Sequence, residues 1–466
     1  MTRAGTDLCY LTIRDAASLL RRRELSPVEL TRAHLERIEQ VDKQVQAYVT
    51  LLPEEALAEA RAAEAAIGRG QYRGPLHGIP VAHKDLYDTR GVRTTAQSKL
   101  LEDRVPEEDA TAVARLKEAG TVLLGKLALH EFAIGGPYTS LFQPARNPWN
   151  PAYVPGGSSS GSGAAIAAGL CMGSLGSDTG GSIRQPASLC GVVGLQPTYG
   201  RVSRFGMVPL SWGLDYAGPL TRTVEDAALV LQVIAGHDPR DPATSGAPVQ
   251  DYSSALREDV RGMTLGLPRE FFTASREVDA EYVDIVEKAV GVLQELGARV
   301  EDVALPSLEY IRASHWAIMR AEGFAYHREN LRSRFHDYGE NVRMQLSIGA
   351  IYTAADYVQA QRARTQITRE FRRVLQHVDL LVTPTTANPA GKFANIDPRA
   401  QLRRPSLTAP FNLTGMPAIS VPCGFTAAGL PVGLQIAGKP FDEPTVFRAA
   451  YAYQQAARWT ERHPAL

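Results

Sequence analysis

Between Val154 and Pro197 the chain runs VPGGSSSGSGAAIAAGLCMGSLGSDTGGSIRQPASLCGVVGLQP, where serine and glycine crowd around short apolar runs. Glycine lets the backbone turn so that its N–H groups approach a ligand closely, which side chains would otherwise block. Within this stretch, Gly176-Ser-Asp-Thr-Gly-Gly-Ser182 sets two glycines directly before a serine. Consecutive amides of Thr179, Gly180, Gly181 and Ser182 can line a concavity around the Ser182 hydroxyl, as a developing oxyanion requires. The same glycines would equally serve a tight turn with no chemistry.

Three known motifs compete for this segment. Gly157-Ser-Ser159-Ser-Gly161 matches the G-x-S-x-G nucleophile elbow, but that elbow must follow a strand. The preceding Asn147-to-Pro155 run carries Pro148, Pro151 and Pro155, which a central strand does not tolerate. A phosphate-binding loop needs a lysine before Ser or Thr, and Gly-Ser-Asp-Thr-Gly-Gly-Ser-Ile has none. The dinucleotide fingerprint fails too, because Ala165 and Ile166 stand where its last glycine should follow Gly161 and Gly163.

A serine hydroxyl is a poor nucleophile at neutral pH and needs a base. Upstream runs His77-Gly-Ile-Pro-Val-Ala-His83-Lys84-Asp85-Leu-Tyr-Asp88. His83 with Asp85 or Asp88 suits a Ser-His-Asp scheme; Lys84 suits a buried-amine scheme. On an extended strand His83 and Lys84 point to opposite faces, so both cannot serve one site. Local pattern leaves the choice open.

Bulk properties bound the rest. With 466 residues and 44% hydrophobic content, the chain can bury a large core, as one α/β domain or as two lobes. Lys plus Arg balances Asp plus Glu at 50 each, which removes the long-range attraction to phosphate expected of a nucleic-acid binder. The Arg21-Arg22-Arg23 run reads as a solvated helix face. Cys9, Cys171, Cys190 and Cys423 lie far apart, with no zinc-like spacing, and read as reduced, buried thiols. Charges interrupt the N-terminal apolar stretch, and no run reaches the roughly 18 apolar residues of a membrane span, so a cytoplasmic, membrane-free protein is expected.

Along the chain, Ser26-Pro27 with Glu29 predicts a capped helix start, followed by Leu30, Ala33, Ile38 and Val41 on one face. A second helix is expected from about Pro53 to Ile67. From Gly74 to about Thr221, short apolar runs alternate with helical stretches and Gly-rich turns, the pattern of a sheet flanked by helices. Residues 240–252 read as a surface connection. Helices are expected around 279–296 and 354–376, and two strands at Pro417-to-Gly424 and Leu430-to-Gly438.

The blocks HGIPVAHKD, PGGSSSGSGAA, GSDTGGSIRQPASLCGVVGLQPTYGRVS, PAISVPCGF and GLPVGLQIAGKPFDE resemble those of the amidase-signature hydrolases. That resemblance implies an α/β fold, a large mixed β-sheet wrapped by α-helices, with a smaller helical lobe or insertion. It implies one domain over 1–466: N-terminal helices (1–70), catalytic core (71–235), helical lobe or insertion (253–375) and the C-terminal part of the core (376–466). It places a base on Lys84, a bridging serine with a cis peptide on Ser158, the nucleophile on Ser182 and oxyanion amides on Thr179 through Ser182. Neither metal nor organic cofactor is implied.

Two readings of the substrate follow. The chain closely resembles the glutaminase component of tRNA-dependent amidotransferases, which releases ammonia from glutamine inside a multi-subunit complex. There, the arginine at the position of Arg364 meets the glutamine carboxylate. The departures at Trp212, His315 and Trp316 instead suggest a bulkier pocket and a stand-alone enzyme acting on aryl or alkyl amides, carbamates or esters. A homodimer is compatible with either, and a nucleic-acid partner is expected only for the glutaminase component.

Overall fold

The computed structural model of the protein describes residues 8–272, 278–397 and 406–466. Ser26 caps the helix Pro27–Val45 by accepting hydrogen bonds from the Val28 and Glu29 amides, and Pro27 occupies the first turn, where its missing N–H costs nothing. Leu30, Ala33, Ile38 and Val41 are buried as their spacing predicts. The Ala-rich helix Pro53–Gly68 packs against it.

Eleven strands form one sheet among the described residues. They are β1 (Tyr48–Leu51), β2 (Pro80–Lys84), β3 (Val122–Leu127), β4 (Gly173–Asp178), β5 (Val193–Gln196), β6 (Tyr216–Thr221), β7 (Thr264–Leu267), β8 (Arg299–Asp302), β9 (Leu380–Pro384), β10 (Ala418–Phe425) and β11 (Pro431–Ala437). Their order is β1-β3-β2-β4-β6-β5-β10-β11-β9-β7-β8. The sheet is mixed: β2 runs parallel to β3 and β4, whereas β6 is antiparallel to β4 and β5. Most central strands are buried along their whole length, which explains their short, continuously apolar or small-residue texture.

The region expected to be a helical lobe, 253–375, differs in one respect. It contributes β7 and β8 to the sheet edge before the helices Leu308–Ser333, Glu340–Ile348 and Ala354–Val374 begin. β7 is four residues long and buried on both faces, so it leaves no alternating signal in the sequence. Among the described residues no helix is long and apolar enough to cross a membrane.

The topology converges on one edge of the sheet. β2 and β4 are parallel neighbours, in register at Val81 with Gly173 and His83 with Leu175, so Lys84 and Asp178 finish the two strands at the same end. β6 begins opposite Asp178 at Tyr216, bringing Asp215 to that end as well. Strand carboxyl ends are where open α/β sheets gather their sites.

Candidate active site

Lys84 is fully buried, with Nζ 2.7 Å from Ser158 Oγ and 2.8 Å from Ser177 Oγ. Burial lowers its pKa to about 7, against the opposing pull of Asp178 and then Asp215. An amine that titrates near neutrality can accept a proton. Sequence reasoning missed Ser177, although it lies inside the glycine-rich motif, because only the pairing of β4 beside β2 carries it to Lys84.

His83 faces away from these hydroxyls. Among the described residues its buried Nδ1 has no hydrogen-bond partner, and burial, reinforced by Lys126, depresses its pKa to about 3. Asp85 accepts from the Thr95 amide and hydroxyl and lies 3.4 Å from Lys126. The Ser-His-Asp scheme therefore has neither a reachable ring nor a waiting carboxylate. All four cysteines are buried and free.

Ser158 follows a cis peptide after Gly157 and is nearly buried. Its carbonyl accepts from the His130 amide at 3.0 Å. A Cβ at Gly157 would sit 1.9 Å from the His130 ring, so glycine is required there by contact. Ser159, the serine of the elbow-like motif, follows a loop and not a strand, and its hydroxyl donates to the Ser177 carbonyl at 3.1 Å. The helix Ser160–Ala167 starts immediately after it.

Ser182 sits in the loop between β4 and the helix Arg184–Cys190, and it lines a cavity of about 360 Å³ with Ser158, Thr179 and Gly180. Asp178 organises this loop by accepting from the Gly181 amide at 2.6 Å and the Ile183 amide at 3.0 Å. Burial pushes the Asp178 carboxyl upward, but Arg184 overcomes it and holds the pKa below the usual range. The pair is fully buried, with contacts of 3.0 and 3.1 Å. Arg184 also donates to the Thr408 carbonyl, Gln435 and Asn412, tying the loop to the C-terminal third of the chain.

These bonds correct one expectation about the oxyanion amides. The Gly181 N–H is spent on Asp178. Among the described residues the Thr179, Gly180 and Ser182 amides donate to no protein group, which leaves them available to an oxygen in the cavity.

The four residues suggested for substrate separate into two pairs. His315 and Trp316 line the cavity, on the helix Leu308–Ser333. His315 Nε2 donates to the Thr179 carbonyl at 2.8 Å, and burial lowers its pKa to about 4, so the ring is neutral at pH 7. Trp212 and Arg364 do not belong to the cavity wall. Trp212 is 54% exposed and packs edge-on against Tyr326. Arg364 donates Nε to the Leu413 carbonyl at 2.7 Å.

No cluster of three or more His, Cys, Asp or Glu side chains suited to a metal occurs among the described residues.

A strand–loop–helix that presents a serine beside free backbone amides, backed by a buried lysine and a second serine, defines the hydrolytic class to which the comparisons also point. The amidase family model matches residues 29–447, and the chain belongs to the amidase signature family, whose enzymes hydrolyse C–N bonds. It is 46% identical to the A component of the glutamyl-tRNA(Gln) amidotransferase of Moorella thermoacetica, over 99% of each chain. The crystal structure of the corresponding component from Thermotoga maritima superposes with a TM-score of 0.82 at 38% identity, covering 97% of this chain and 95% of that one. A bacterial aryl acylamidase of the same family superposes with a TM-score of 0.89 at 29% identity, covering 97% and 98%.

Proposed function

We propose that this chain cleaves a carboxylic amide through an acyl-enzyme on Ser182, with Ser158 relaying the proton and Lys84 acting as base. The observation that carries the reading is the buried Lys84 amine, 2.7 Å from Ser158 Oγ, with its pKa brought to about 7. A neutral amine has two N–H groups and one lone pair. Donation to Ser177 Oγ, 2.8 Å away, uses one N–H and steers the lone pair toward the Ser158 proton. Ser158 then takes the Ser182 proton as Ser182 attacks the carbonyl carbon. The Gly180 and Ser182 amides receive the tetrahedral oxyanion. Collapse expels the amine, protonated back through Ser158, and water hydrolyses the acyl-enzyme by the reverse relay.

For the substrate we infer glutamine, with the chain working as the glutaminase component of a tRNA-dependent amidotransferase. Identity of 46% over 99% of both chains with the Moorella thermoacetica protein supports this. The partners would be the other components of such an assembly, and nucleic acid would be met through them.

One observation favours a second reading, a stand-alone amidase for aryl or alkyl amides, carbamates or esters. Arg364, expected at the glutamine carboxylate, is turned to the Leu413 carbonyl, while Trp316, Met319, Leu210 and Ile134 make part of the cavity wall apolar. Incubating the purified chain, alone and with the partner proteins, with glutamine, an anilide and a carbamate separates the two. Glutamine turnover that needs the partners supports the amidotransferase reading. Anilide or carbamate turnover by the chain alone supports the free enzyme and sinks the amidotransferase reading.

A further inference from the structure

The cavity holds a charge that the acyl-transfer chemistry does not use. His315, Trp316, Met319 and Arg320 all line it from the Leu308–Ser333 helix. Their spacing, i, i+1, i+4 and i+5, is that of one helical face. His315 touches the nucleophile loop at the Thr179 carbonyl. Arg320, five residues on, therefore stands about 7.5 Å farther along the helix axis.

Arg320 is only 4% exposed, and among the described residues its buried Nε has no hydrogen-bond partner. Its guanidinium carbon lies 4.4 Å over the Trp316 ring, and the Tyr352 hydroxyl is beside it. Among the described residues no carboxylate pairs with it, and burial holds its pKa below the usual arginine value. An aromatic face attracts the cation but satisfies few of its N–H groups. Of the other buried arginines, Arg184 pairs with Asp178 and Arg201 with Glu443, while Arg37, which has no acid beside it among the described residues, donates to the Ala168 carbonyl and the Tyr10 hydroxyl and so is satisfied from within the fold. Among the described residues the other charged side chains of the cavity wall, Lys392 and Asp397, are exposed, where water screens them.

A buried cation that lines a substrate cavity and has no acid beside it among the described residues is completed by an anion that arrives with the ligand. We infer that Arg320 binds a carboxylate carried by the substrate several bonds from the scissile amide, and so selects anionic amides over neutral ones. This inference rests on the reading of the cavity as the acyl-transfer site. It moves carboxylate recognition from Arg364, which is turned away, to a position on a different helix. An arginine kept only to stack on Trp316 would serve neutral and anionic amides alike.

The test compares glutaramate with pentanamide, which replaces the carboxylate by a methyl group. The wild-type ratio of their kcat/KM values should favour glutaramate by about a hundredfold. In Arg320→Met that ratio should collapse to near unity, and in Arg320→Lys it should fall between the two. A ratio near unity in the wild type, or one unchanged in Arg320→Met, overturns the proposal. Glutarate binding to the Ser182→Ala chain, followed by calorimetry, gives a readout independent of turnover. Binding that Arg320→Met abolishes and Arg320→Lys retains upholds the inference even if neither amide is hydrolysed, in which case the acyl-transfer reading alone fails. Binding indifferent to both substitutions overturns it.

Discussion

Lys84 Nζ stands 2.8 Å from Ser177 Oγ, a contact between the ends of two parallel, adjacent strands, and Ser158 Oγ lies 2.7 Å from the same nitrogen. Among the described residues two hydroxyls and no carboxylate touch this amine. Its desolvation therefore outweighs the more distant attraction of Asp178 and Asp215, and the pKa settles near 7. The acidic groups are close enough to matter, yet Arg184 engages one of them directly and Thr179 with two backbone amides engages the other.

This relationship fixes the sign of the pH response. In the proposed mechanism the neutral amine is the working form, so kcat/KM for an amide should rise by about tenfold per pH unit on the acid side and level off above about pH 7. Lys84→Arg, protonated throughout, should lose at least about a thousandfold. A profile that stays flat from about pH 5 to about pH 9 would remove Lys84 as the base.

Ser182→Ala should reduce kcat by about 10⁴-fold or more, because in the proposed mechanism the acyl group is carried on the Ser182 hydroxyl. Treatment of the parent with a sulfonyl fluoride, followed by mass spectrometry, should place the adduct on Ser182. Full turnover in the alanine variant refutes the nucleophile assignment.

Gly157 and His130 are coupled by contact. Gly157→Ala would push a methyl to within 1.9 Å of the His130 ring and displace Ser158, and such a shift costs on the order of a hundredfold in rate. His130→Ala in the same background should recover part of that loss, measured as kcat. If the double variant is no better than Gly157→Ala, ring contact is not the reason for glycine.

The ion pair beneath the nucleophile loop is a matter of stability. Arg184→Met leaves Asp178 buried and unpaired, at a cost of about 3–5 kcal/mol in urea unfolding. Asp178→Asn combined with Arg184→Met should cost less than the sum of the single changes, since each single change strands its partner. Strict additivity would mean that the two groups do not act as a pair.

Trp212→Ala should leave kcat/KM within about twofold and stability within about 0.5 kcal/mol, as for most exposed positions. Trp316→Ala, which strips an aromatic wall from the cavity, should change kcat/KM by at least about tenfold. Equal effects of the two would contradict the placement of the cavity.

Much of this arrangement was legible along the chain, because it depends on neighbours in sequence. The cap at Ser26 and Pro27, the two helices that follow, the glycine-rich run before Ser182 and the strands flanking Gly429 all follow from local backbone preferences and apolar period. Short range also explains the pairing of Asp178 with Arg184, six residues apart across one turn of loop. What no local pattern could decide was direction and partnership across the fold. The choice between His83 and Lys84 turns on which face of the sheet carries the Ser158 and Ser177 hydroxyls, and the capture of Lys84 by Ser177 turns on β2 and β4 being parallel neighbours. Trp212 and Arg364 were eligible by residue type, yet packing turned one to solvent and the other to a carbonyl. Arg320 looked like any helical arginine until burial removed its water and left it no acid. The backbone's own chemistry writes the elements and the loop into the sequence, whereas desolvation and long-range contact, which assign roles to side chains, exist only once the chain has folded.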